Sequence, residues 1–123
     1  MRLASLVLLL LALAGCDSAM DAEPTFGDPY QVSEAPAPAV TVNGADARLT
    51  VTVEYGGGCQ EHDFVLRSRD LGDRVEVWFV HDARGDTCDA LVTETLTAAL
   101  PGVAAEAEAL VLQTPSGGPV TLR

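Results

Sequence analysis

ARLTVTVEY, residues 47–55, sets Leu49, Val51, Val53 and Tyr55 on one side of an extended chain and Thr50, Thr52 and Glu54 on the other. Side chains alternate across a β-strand, so this period of two marks a strand with one face buried. On its N-terminal side, AVTVNGADARLTV carries Asn43-Gly44 at its centre, a strong hairpin signal, and Val40–Val42 is expected as a short opening strand. On its C-terminal side, HDFVLRSR and RVEVWFVH read as two more strands joined by DLGD, whose glycine accepts a positive φ. CDALVTETL is a fourth, and AEALVLQ with PVTLR flank TPSGG as a closing hairpin. The alanine-rich LPGVAAEAEA leaves room for a helical turn. Six or seven short strands with turns at near-regular spacing predict one all-β domain over residues 39–123. Its expected form is a small antiparallel, immunoglobulin-like sandwich or a partly open barrel.

A register follows from the turns. Folding the first hairpin about Leu71-Gly72 pairs His62 with His81, Phe64 with Phe79 and Leu66 with Val77. Folding the next about Arg84-Gly85 pairs His81 with Cys88, Phe79 with Ala90 and Val77 with Val92. Partners in an antiparallel ladder share a face. The expected core stripe is therefore Phe64, Leu66, Val77, Phe79, Ala90 and Val92, with His62, His81 and Cys88 in a row at one end and Cys59 close by. The opposite face lines up Val65, Trp78 and Leu91. This stripe is either covered by a second sheet or the chain ends, or exposed as a docking face for a partner.

The N-terminus reads MRLASLVLLLLALAGC, one arginine followed by an apolar run too short to span a bilayer. Its end, Leu13-Ala14-Gly15-Cys16, resembles the lipobox of bacterial lipoproteins. The resemblance implies a signal peptide over residues 1–15 and lipidation of Cys16 by acyl chains such as palmitate. It also implies a membrane-anchored protein of the cell envelope facing the periplasm or exterior. Several acyl chains anchor stably, each buried methylene contributing roughly 0.8 kcal/mol.

Behind the anchor, residues 17–38 carry four prolines and five carboxylates, so residues 16–38 are expected to form the lipid anchor and an acidic, disordered tether. Recognition by Phe26 and Tyr30 is the sharper alternative there. The whole chain has seven basic and 18 acidic residues, a net charge of −11, and loss of Arg2 with the leader brings it to −12. Such a surface repels phosphate backbones, which excludes nucleic acid as a partner.

The chain has three cysteines and two histidines, and YGGGCQEHDF with FVHDARGDTCD brings four of the five together. Three chemistries fit. With Cys16 lipidated, Cys59 and Cys88 remain an even pair in an oxidising compartment, which points to a disulfide. Cys59, His62, His81 and Cys88 also suffice for a tetrahedral zinc site, with carboxylates as outer acceptors. The tight spacing of a zinc knuckle is missing, and Asp82, Asp86 and Asp89 lack the ligand alternation of a calcium loop. A Cys-His nucleophile needs an electropositive niche, whereas this one is acidic, so no catalysis and no cofactor are expected. His62, His81, Asp82 and Asp86 are then a structural polar cluster beside the bridge.

The same two stretches are similar to a group of small bacterial lipoproteins sharing Gly-Gly-Cys-x-x-His-x-Phe and His-Asp…Gly-Asp-x-Cys. Gly57, Gly58, Cys59, His62, Phe64, His81, Asp82, Gly85, Asp86 and Cys88 match, within roughly residues 55–97. The resemblance implies a shared fold and carries no activity across. The expected function is a non-catalytic binding or structural module, lipid-anchored, with an envelope protein as the candidate partner.

Overall fold

The structure of the protein, a computed structural model, describes residues 23–123. The expected signal peptide, Cys16 and the first residues of the expected tether lie outside the described residues. Eight strands and one helical turn follow in order: β1 (Gln31–Val32), β2 (Ala39–Asn43), β3 (Asp46–Gly57), β4 (Asp63–Asp70), β5 (Val75–Asp82), β6 (Ala90–Ala99), α1 (Gly102–Ala105), β7 (Leu110–Leu112) and β8 (Val120–Thr121). They form two four-stranded sheets, neither closed into a barrel.

The first sheet is built on β3. Residues 48–57 of it pair with β6, from Arg48↔Ala99 to Gly57↔Ala90, while β2 and β1 share its other edge. The second sheet runs β4-β5-β7-β8 and contains one parallel pair, β5 with β7. Between the sheets lie Leu49, Val51, Val53 and Tyr55 of β3, Val75, Val77 and Phe79 of β5, and Leu110 and Leu112 of β7. The alternation that predicted β3 is thus the alternation that fills the core. The expected hairpin forms, with its turn one position later than an Asn43-Gly44 centre: Asn43 faces Asp46 across Gly44-Ala45, and α1 occupies the alanine-rich stretch.

Three expectations are corrected. The β4–β5 hairpin is closed by the four residues 71–74, with Gly72 N–H donating to Asp70 Oδ1 (2.9 Å) and Leu71 N–H to the Arg74 carbonyl (2.9 Å). Its register is therefore shifted by two: Phe64 faces His81, Leu66 faces Phe79 and Ser68 faces Val77. An even shift keeps every side chain on its face, and Phe64, Leu66 and Phe79 remain on the core side.

The second correction is larger: β5 and β6 do not pair. The chain crosses between the sheets over residues 83–89, so Ala90 and Val92 belong to the first sheet, and Ala90 is exposed. A turn signal reads the same for a hairpin and for a crossover. What decides is that the other edge of β5 is already taken by β7 and by Gly27.

The third concerns the tether, because residues 26–33 belong to the domain. Phe26 and Asp28 exchange backbone hydrogen bonds with His81 (each 2.9 Å), and Ser33 N–H donates to the Thr52 carbonyl (2.8 Å). Tyr30 is 4% exposed and donates its hydroxyl to the Phe79 carbonyl at 2.6 Å. Gly27 (φ 72°) seats this segment, since a Cβ there would collide with the His81 carbonyl.

The outer face of the second sheet carries Glu76, buried and paired with Arg69 (2.8 Å) and Arg74 (3.4 Å). Trp78 sits on the same face, 6% exposed, its indole N–H without an acceptor among the described residues. Val65 is 47% and Leu91 74% exposed, and Leu91 is on the other sheet. The expected stripe of Val65, Trp78 and Leu91 is therefore not a continuous face, because it presumed a β5–β6 ladder.

Candidate functional site

One end of the sandwich gathers two of the connections between the sheets, the β3–β4 loop (58–62) and the β5–β6 loop (83–89). Cys59 and Cys88 join them in a disulfide, with Cα atoms 5.8 Å apart. The β5–β6 crossover turns at Arg84 (φ 54°) and Gly85 (φ 70°), and Asp86 N–H closes the turn onto the Ala83 carbonyl at 3.0 Å. That turn aims the Asp86 carboxylate back under the bridge.

Asp86 then collects donors from both loops. Its Oδ2 accepts the backbone N–H of Cys59 (3.1 Å) and of Gln60 (3.1 Å), and its Oδ1 accepts Cys88 N–H (3.0 Å). His62 Nε2 lies 2.9 Å from Oδ2, both side chains fully inaccessible. The His62 bond, the Cys88 amide and the other two amides hold the Asp86 carboxyl far below the usual carboxylate range, against the opposing pull of desolvation.

The hydrogen-bond chain continues inward. His62 Nδ1 is 2.7 Å from His81 Nε2, and His81 Nδ1 is 3.1 Å from the Asp28 carbonyl. A line of four groups thus runs from the disulfide loop through two buried imidazoles to the N-terminal segment. Rings pack around it: His62 stacks on Tyr55 (centroids 4.5 Å), and His81 on Phe64 (4.3 Å, interplanar angle 4°). The two-residue shift of the hairpin explains the second stack, because it sets Phe64 directly across from His81. Gly57 makes the space, since a Cβ there would lie 2.7 Å from His62 Nε2 and 3.0 Å from Asp86 Oδ2.

A hollow of about 380 Å³ opens beside this line between Tyr55, Gln60, Glu61, His62 and Glu94. The Tyr55 hydroxyl donates to Glu94 Oε2 at 2.5 Å. Burial first, then the bond and charge of Glu94 and the charge of Asp86, push the Tyr55 hydroxyl up to about 12. A larger cleft of about 690 Å³ runs between β1 and the β7–β8 loop, bordered by Gln31, Ser33, Glu54, Thr114 and Ser116.

Of the residues expected here, the structure joins Cys59 to Cys88 and brings His62, His81 and Asp86 into direct contact. Asp82 stands apart: it is exposed and caps its own turn, accepting Arg84 N–H at 2.8 Å. The four-residue zinc set is not assembled. Both sulfurs are joined to each other, and the ring nitrogens point at one another, at Asp86 and at the Asp28 carbonyl. Sequence reasoning missed Asp28 and Glu94 as members of the cluster. Neither carries a local signal, because 53 residues separate Asp28 from His81 and 39 separate Tyr55 from Glu94. Comparisons with family models, with curated proteins and with solved structures find no match for the chain.

Proposed function

We propose that this chain is a non-catalytic binding or structural module of the cell envelope, lipid-anchored through Cys16 and stapled by the Cys59–Cys88 disulfide. What supports the non-catalytic reading most is that the reactive groups are consumed inside the fold. A sulfur in a disulfide is no nucleophile, and an imidazole bonded at both nitrogens is no free general base. The leader motif and the even pair of remaining cysteines support the anchor and the exported setting. The cleft beside β1 is the surface offered to a ligand or an envelope partner.

The anchor is tested by expressing the full chain and its Cys16→Ala variant in a bacterium supplied with labelled palmitate. The native chain is expected to take the label and sediment with membranes, and the variant to do neither. A native chain that stays unlabelled and in the soluble fraction overturns the anchor. Alkylation after denaturation without reductant is expected to label neither Cys59 nor Cys88. Labelling of both, with stoichiometric zinc in the unreduced protein, would establish the zinc reading instead.

A further inference from the structure

Three hydrogen bonds link Asp86, His62, His81 and the Asp28 carbonyl, and each needs one hydrogen. The carbonyl only accepts, so His81 Nδ1 carries a hydrogen. An ionised Asp86 only accepts, so His62 Nε2 carries another. The contact between the rings needs a third, on His62 Nδ1 or His81 Nε2. Two neutral imidazoles hold two hydrogens between them. We propose that His62 and His81 form one proton-binding site, which holds a single proton shared by the two rings in the folded protein and through it ties the 26–30 segment to the end of β5.

The charges around the site agree with one bound proton. Asp86 supplies the counter-charge, fixed by three backbone amides. From β3 the rings meet Tyr55, from β4 Phe64, and from the N-terminal segment Tyr30 and the Asp28 carbonyl. Glu94 is engaged by the Tyr55 hydroxyl, Glu61 borders the adjoining hollow, the Asp28 carboxylate accepts Ala83 N–H, and the exposed Asp63–Arg84 pair is self-compensated. A second proton would set two N–H groups against each other between the rings. Loss of the first would set two acceptors face to face at one of the three junctions. The Asp86 end is held by the disulfide loops and the rings are stacked, so the junction free to open is the one to Asp28.

The consequence for stability has a definite sign. The chain has only two histidines, and no other side chain ordinarily titrates between about pH 5 and 8. An unfolded chain binds about 1.8 protons on these two at about pH 5.5 and about 0.2 at about pH 7.5, from the ordinary histidine value near 6.5. The folded site binds one at both. Stability therefore rises with pH below about 6.5 and falls above it, the folding constant changing about threefold between the maximum and one pH unit to either side.

The test uses the full chain with ¹⁵N-labelled histidines. Ring ¹H–¹⁵N correlations at about pH 7.5, one unit above the ordinary histidine value, are expected to show three ring hydrogens over the two residues. Denaturant midpoints are expected to peak near about pH 6.5. Amide protection at Asp28 and His81 is expected to fall with rising pH before that of the β3 amides. Two ring hydrogens in total, or a protonated Asp86 carboxyl, overturns the proposal. So does a stability that climbs through the whole window to a plateau, which two neutral buried histidines would give.

Discussion

At the scale of single residues, Gly57 shows how the site limits its own sequence. A methyl there meets His62 Nε2 at 2.7 Å and Asp86 Oδ2 at 3.0 Å, neither of which can retreat without breaking a buried hydrogen bond. Gly57→Ala is expected to lower stability by about 1–3 kcal/mol, the usual range for overpacking, measured by urea denaturation. The two tyrosines give a second test. Burial raises both hydroxyls above the ordinary value of 10.0, Tyr55 to about 12. The folded chain then keeps protons that the unfolded chain loses, so stability falls as pH rises from about 10 to about 12. Phenolate absorbance is expected to appear together with loss of the β-sheet dichroism signal, and an early rise in a still-folded protein would contradict the Tyr55–Glu94 bond. The cluster itself was only half legible. Cysteine and histidine stand out by their rarity, and Asp86 by its place two residues before Cys88, but Asp28 and Glu94 are two of eighteen acidic residues and nothing local distinguishes them.

Elements were legible where their own alternation or turn chemistry settled them, as in β3 and the Asn-Gly hairpin. Partner choice was not, because Arg84-Gly85 reads as a turn whichever sheet follows it. The 26–33 segment was hidden by composition: acidic and proline-bearing, it looks like spacer, yet Tyr30 and the backbone bonds to His81 and Thr52 seat it on the domain. Tyr30→Phe removes that bond and is expected to cost about 0.5–1.5 kcal/mol, read from the denaturation midpoint. On the outer face of β5, Trp78 is buried, so Trp78→Ala is expected to cost about 3–5 kcal/mol. Trp78→Phe is expected to cost much less, because the indole N–H has no acceptor to lose among the described residues. A Trp78→Ala protein that melts like the parent would show that the ring contributes nothing to packing.

For the whole molecule, the disulfide spans 29 residues and closes the end where the chain twice changes sheets. Replacing both Cys59 and Cys88 by alanine is expected to cost about 3–4 kcal/mol on the chain-entropy estimate, measured against the parent without reductant. The sandwich class was legible because strand period and turn spacing are local properties. The strand order was not, because it rests on contacts far apart in sequence. The central place of β5 has a consequence in time. One edge of β5 is completed by residues 26–28 and residues 110–112, and the latter are made nearly thirty positions after β5 ends. A chain emerging from the ribosome therefore has Val75–Val77 before it has their β7 neighbours. That stretch of its edge stays unpaired until residue 112 is free, so the second sheet is the last part of the sandwich to be completed.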